Sequence, residues 1–288
     1  MATSTASFGA GKKESHDSSA FYARRMSDHP RPKVTGLVAD APAEVLDRIF
    51  TQSAETMDQL PNDCVSLMVT SPPYNVGKDY DEDLSLEEYL GLLERVFTET
   101  YRVLEAGGRI AVNVANVGRK PYLPLNHHVA GLLGDIGFLL RGEVIWQKAR
   151  AAGGSTAWGS WQSARNPTLR DVHEYVIIAC KETFRRLREG KDTIHRDDFL
   201  SATVSIWEIP PESARRVGHP APFPVELPRR LIELYTFEGD LVLDPFMGSG
   251  TSALAALDTG RHYVGYEVNP EYVDLAAKRI ASRRHPRR

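Results

Sequence analysis

Leu243-Asp244-Pro245-Phe246-Met247-Gly248-Ser249-Gly250-Thr251 lies between a short apolar run, Leu241–Leu243, and a stretch rich in small residues, Thr251–Thr259. A strand, a glycine-rich turn and a helix follow one another here, and glycines in such a turn let a ligand approach the backbone closely. Downstream, His262–Tyr266 is a second strand that runs into Glu267, 23 residues after Asp244. An acid about 20 residues past a glycine loop suits hydrogen bonding to ribose hydroxyls. The loop has no phosphate-binding lysine and does not fit G-x-G-x-x-G, so a nucleoside without phosphates suits it better than a pyrophosphate. Taken alone, the loop would also serve as a turn packing a helix on a strand.

Outward from this loop the chain alternates strands and helices. Val65–Thr70 is a β-branched, apolar strand that stops at Ser71-Pro72-Pro73-Tyr74-Asn75. Two prolines fix the backbone and remove two donors. What remains offers a hydroxyl, carbonyl oxygens and an aromatic face, which suits a planar group bearing an amine. By themselves these residues would equally form a plain turn closing a strand. Ser85–Leu104 has helical apolar spacing, with Ser85 and Glu88 as a capping box and Gly107-Gly108 as its terminator. Strands follow at Arg109–Val114, Phe138–Trp146 and Glu174–Ala179, and helices at His127–Ile136, Glu226–Tyr235 and Glu271–Ser282. The alternation predicts an α/β fold, a mostly parallel sheet with helices on both faces. Ala149–Asp171 and Lys181–Gly218 break the rhythm and read as insertions.

The chain has 288 residues, 42% hydrophobic and 25% charged, an ordinary globular composition. The formal net charge is −3, yet Lys148–Gly218 carries 12 Lys/Arg against 9 Asp/Glu. A basic centre in an acidic chain is compatible with a phosphate-facing surface, and also with a solvated helix over Lys181–Arg196. The two cysteines, Cys64 and Cys180, lie in apolar runs without metal spacing, which points to reduced thiols in the cytoplasm and to no metal. No apolar run is long enough to span a membrane, and Met1–Gly11 lacks the core of a signal peptide. Residues 1–33 are expected to be a flexible segment and 283–288 a basic tail.

Together, Ser71-Pro72-Pro73-Tyr74 and Asp244–Thr251 resemble the DNA amino-methyltransferases, whose catalytic motif is [D/N/S]-P-P-[Y/F] and whose cofactor motif is similar to D-P-F-x-G-S-G-T. The catalytic turn precedes the cofactor loop, an order that resembles the β class, a circular permutation of the common arrangement. Gly218–Pro224 with the following helix, and Trp207-Glu208-Ile209-Pro210, are also similar to that class. The likeness covers roughly residues 49–146 and 171–280. Where many relatives carry Gly-Asp upstream of the catalytic motif, this chain has Gln52-Ser53, and Ser53 cannot supply that charge.

The resemblance implies a Rossmann-like methyltransferase fold with DNA-recognition insertions. Residues 34–148 would be the catalytic half, 149–218 the target-recognition insertions with a core strand near 172–180, and 219–282 the cofactor-binding half. It implies S-adenosylmethionine as cofactor, held by Phe223, Asp244, Pro245, Phe246, Gly248, Gly250 and Thr251, with Glu267 on the ribose. Ser71 and the Pro72 carbonyl would accept hydrogen bonds from an exocyclic amine of a flipped base, Pro73 would stiffen the turn and Tyr74 would stack on the ring. Serine as first motif residue points to cytosine N4, and aspartate is usual for adenine N6. Arg150, Arg165, Arg170, Arg185 and Arg186 are the candidate contacts to double-stranded DNA. Relatives often dimerise and serve beside a restriction endonuclease, so a homodimer and a cognate nuclease are implied partners. Three readings compete, and the nearest is an adenine-N6 DNA methyltransferase with the same motifs. Protein glutamine methylation also uses a Pro-Pro-Tyr turn, but its motif starts with asparagine and its cofactor motif comes first. A regulator that binds cofactor and DNA without turnover would keep the same motifs.

Overall fold

The computed structural model describes residues 33–73, 84–117, 121–148, 159–212, 217 and 223–284. Eight strands form one sheet: β1 (Arg48–Phe50), β2 (Val65–Thr70), β3 (Leu104–Val114), β4 (Leu139–Gln147), β5 (His173–Cys180), β6 (Ile206–Glu208), β7 (Leu241–Asp244) and β8 (His262–Tyr266). Their order is β1-β8-β7-β2-β3-β5-β4-β6. Every pairing is parallel except the two made by β5, which runs antiparallel between β3 and β4.

Helices α1 (Leu86–Val103) and α2 (Leu125–Ile136) cover one face. Helices α4 (Glu226–Tyr235), α5 (Thr251–Asp258) and α6 (Pro270–Arg284) cover the other, and the short α3 (Arg196–Ala202) precedes β6. The strands feed both cores by alternation: Met68, Ile110 and Val112 face α1 and α2, while Leu67, Val69 and Ala111 face the opposite layer. Helix α1 begins as expected, with Ser85 Oγ accepting from Glu88 N at 3.2 Å and Glu88 Oε2 accepting from Ser85 N at 2.8 Å. It buries Tyr89, Leu93, Val96, Phe97 and Val103. The expected α/β architecture is therefore present, with the permuted chain order. No helix among the described residues is long and apolar enough to cross a membrane.

The helix does not end at Gly107-Gly108. It stops at Val103, and β3 starts at once at Leu104, all of it buried. Gly107 adopts φ +79, and a Cβ there would fall 2.2 Å from the Arg185 carbonyl oxygen. The glycine thus serves close passage of the 181–195 segment along the sheet rather than helix termination.

That segment corrects a second expectation. Because β5 is antiparallel, its C-terminal residue Cys180 registers with Arg109 and Leu139, at the starts of the neighbouring strands. The chain therefore leaves the sheet at the edge opposite the Ser71-Pro72-Pro73 turn. The Arg186 side chain is turned inward, away from any DNA-facing surface: it is 7% exposed and bridges Glu105 and Asp240, which are 0% and 5% exposed. It also donates to Ser66 Oγ at 2.9 Å. A guanidinium used up on buried carboxylates has nothing left for phosphate. Arg185 is exposed, but on the same far edge. Nor does Lys181–Arg196 form a solvated helix; it is an irregular strap pinned by Lys181 on Asp63 at 2.7 Å and by Arg188 on Glu105 at 3.0 Å.

Candidate active site

β2 and β7 lie side by side at the centre of the sheet, with Met68 opposite Leu243. From β7 the chain crosses through α5 to β8 on one side, and from β2 through α1 to β3 on the other. Their carboxyl ends thus flank a topological switch point, where open α/β sheets bind ligands. The Ser71-Pro72-Pro73 turn and the Asp244–Thr251 loop both start there.

One hydrogen bond ties them. Thr70 Oγ1, at the last residue of β2, donates to Asp244 Oδ1 at 2.6 Å. Asp244 is fully buried and also accepts from Phe246 N at 3.1 Å and from Ser252 Oγ at 2.5 Å. Burial pushes its carboxyl up to about 6, against the lowering effect of the Ser252, Thr70 and Phe246 bonds. Beyond it Pro245 is buried, and Phe246 and Gly248 are partly open. Gly248 and Gly250 both take positive φ, +49 and +79, and Thr251 begins α5.

Glu267 meets this loop from the end of β8. Its Oε2 accepts from Gly248 N at 2.8 Å and its Oε1 from Asn269 N at 2.9 Å. Each carboxylate oxygen keeps a second lone pair, so bracing the loop and receiving hydroxyl hydrogens are compatible. Phe223 is half-buried just before α4 and packs against the core beneath that helix. In the turn after β2 Pro72 is buried, while Ser71 and Pro73 are partly exposed. Tyr74 and Arg150 lie outside the described residues. Arg165 is exposed and Arg170 half-buried, in the stretch that enters β5 and thus on the site's edge of the sheet.

Several residues of this edge escaped the sequence reading. Thr70 and Ser252 clamp Asp244. Arg279, on α6, donates to Ser249 Oγ at 2.7 Å and so fixes the loop from behind. Asn113, Glu174 and Lys148 form a chain that ends on Ser71. Asn113 was the one legible signal: a carboxamide in the otherwise apolar run Ile110–Val114.

Two carboxylates around a glycine turn, with no cationic side chain within the loop, make a donor set that fits a cationic, phosphate-free nucleoside. Neither thiol is a nucleophile: both cysteines are buried, and burial pushes Cys64 up to about 12 and raises Cys180.

The DNA methylase family of N6 and N4 methyltransferases matches over residues 65–278. Among curated relatives, the type II methyltransferase M.XycI of Xanthomonas campestris pv. cyanopsidis is 31% identical, over 77% of this chain and 83% of the relative. M.MthZI of Methanothermobacter thermautotrophicus, also a type II methyltransferase, is 29% identical over 81% of this chain and 76% of the relative. Among solved structures, TTHA0409 of Thermus thermophilus, a candidate DNA modification methylase, superposes with a TM-score of 0.69 at 30% identity, covering 83% of this chain and 96% of that one. It has also been solved in complex with S-adenosyl-L-methionine. The cytosine-N4-specific PvuII DNA methyltransferase shares the fold, with a TM-score of 0.64 at 22% identity, covering 80% of this chain and 85% of that one. The chain belongs to the N6/N4 DNA methylase family.

Proposed function

We propose that this enzyme methylates the N4 amine of cytosine in duplex DNA, by base flipping and direct transfer from S-adenosylmethionine. The observation that carries the reading is the Thr70–Asp244 bond, which locks the catalytic turn to the cofactor loop. The cofactor supplies a methyl group on a positive sulfur when bound. Asp244, Pro245, Phe246, Gly248, Gly250 and Thr251 line its pocket, Glu267 takes the ribose hydroxyls and Phe223 closes the other side.

An exocyclic amine is a poor nucleophile because its lone pair is delocalised into the ring. Ser71 Oγ and the Pro72 carbonyl would accept the amine's hydrogens, favour a more pyramidal nitrogen and orient its lone pair, and the proton that the nitrogen sheds on methylation would pass to solvent. The acceleration is then mostly positioning and oriented dipoles. Serine at the first motif position favours cytosine over adenine. Flipping removes the base from its stack, and Tyr74 replaces part of that stacking. Arg165 and Arg170 contact the DNA, with Arg150 as a further contact from the adjoining insertion. A homodimer and a cognate restriction endonuclease complete the reading, and the two free, buried thiols support a cytoplasmic setting.

Base–aromatic stacking is worth about 1–3 kcal/mol, so Tyr74→Ala is expected to cut methyl transfer roughly 10- to 100-fold. The Kd for S-adenosylmethionine, measured by calorimetry, stays unchanged. Cofactor binding without transfer to any DNA by the natural chain favours a non-catalytic regulator instead.

A further inference from the structure

Three side chains, two on strands and one just past a strand, form a chain that ends on Ser71. Asn113, next to last in β3, donates through Nδ2 to Ser71 Oγ at 3.3 Å and to Glu174 Oε2 at 2.6 Å. Glu174, second in β5, binds Lys148 Nζ through its other oxygen, Oε1. Lys148 follows directly on β4, and its Nζ stands 5.3 Å from the centroid of the Trp146 ring. Asn113 and Glu174 are 2% and 6% exposed, and the Lys148 side chain is 33% exposed. The antiparallel course of β5 makes this meeting possible. It brings the start of β5 to the edge where β3 and β4 end, with Glu174 opposite Trp146.

A carboxamide has a donor end and an acceptor end, whereas a carboxylate only accepts. Glu174 therefore decides which end of Asn113 faces it. One Nδ2 hydrogen goes to Glu174 and leaves the other for Ser71. The Ser71 oxygen is then held by a donor rather than by an acceptor. Without the carboxylate, Asn113 could turn its oxygen toward Ser71, and the hydroxyl would donate there and swing its lone pairs away. Lys148 offsets the cost of keeping Glu174 charged in a buried place.

We infer that Glu174, braced by Lys148, is a positioning residue: it locks the Asn113 carboxamide so that Ser71 is presented as an acceptor to the substrate amine. The inference rests on the proposed place of Ser71 at that amine. It implies a loss of turnover without a loss of cofactor affinity, since none of the three residues belongs to the cofactor loop.

The test is a double-mutant cycle read by single-turnover methyl transfer from labelled S-adenosylmethionine to genomic DNA, with cofactor Kd and thermal midpoint measured in parallel. Glu174→Gln keeps the shape but can present a donor, which frees Asn113 to reverse. It is expected to slow transfer about 10- to 100-fold, the usual cost of a misaimed catalytic contact, with the cofactor Kd within about twofold. In a Ser71→Ala background the same change is expected to add less than about threefold, because the group it positions is gone. Should Glu174→Gln fail to fold, Lys148→Gln at the partly exposed end carries the same comparison, with a smaller loss that again disappears in Ser71→Ala. An unchanged rate in Glu174→Gln, or losses that multiply in the double variant, overturn the positioning role alone. A Ser71→Ala chain as fast as the natural one overturns the placing of Ser71 and this inference with it. No transfer by the natural chain to any DNA overturns the proposed function itself.

Discussion

An Asp244→Asn chain is expected to resist urea better than the natural chain at pH 7.5, and to bind S-adenosylmethionine more weakly. The Asp244 carboxyl is pushed up to about 6 by burial, from an ordinary 3.8. The folded state thus holds its proton more tightly than the unfolded state. Stability present below about pH 4 is lost as the pH rises through 6, where the buried group must ionise. A shift of that size corresponds to about 3 kcal/mol at most. Asparagine avoids the charge and keeps the clamp: its oxygen still accepts from Thr70 and Phe246, and the Ser252 hydroxyl rotates to accept from its amide. Urea midpoints at pH 4 and pH 7.5 check this. The account predicts curves that coincide at the lower pH and differ by about 2–3 kcal/mol at the higher one. A gap that does not open with pH contradicts it. The weaker binding follows from removing a negative charge beside the pocket of a cationic ligand. A buried carboxylate that costs stability at the glycine loop is the kind of strain that functional sites retain.

Gly250→Val is expected to cost about 2–5 kcal/mol and to abolish measurable cofactor binding. Gly250 sits at φ +79, where an L side chain costs about 1–2 kcal/mol. Its Cβ would also lie 2.9 Å from Ala276 Cβ and 3.2 Å from Ala276 Cα, on α6. Pushing α6 away adds overpacking of about 1–3 kcal/mol and loosens Arg279 from the Ser249 carbonyl. Ala276→Gly in the same chain relieves the contact but not the backbone strain, so it should restore only part of the thermal midpoint. Full restoration, or a single variant as stable as the natural chain, would show that the loop is not held this way.

The sheet was legible because its punctuation is strong. Two prolines end β2, a capping box opens α1, and the bounds of α4 and β8 match their apolar spacing. The glycine loop announced its strand–turn–helix setting through the order of residue types alone. The short edge strands β1 and β6 carried no such pattern, since three residues show no period. The start of β3 was hidden because Leu104–Gly108 has the composition of a helix end, and only pairing with Val65 makes it a strand. Arginine count misled for a physical reason. Charge on a sequence says nothing about direction, and the antiparallel β5 sends Arg185 and Arg186 to the far edge of the sheet. The same reversal brings Glu174 to Asn113, the residue that holds Ser71, a meeting of residues 61 positions apart that spacing could not reveal.

The most direct test of the account is methyl transfer from labelled S-adenosylmethionine into mixed genomic DNA, followed by nucleoside mass spectrometry of the digest. N4-methylcytosine is the predicted product. N6-methyladenine would keep the exocyclic-amine mechanism and contradict the base assigned from Ser71. Neither product, from a chain that binds the cofactor, would contradict the central claim.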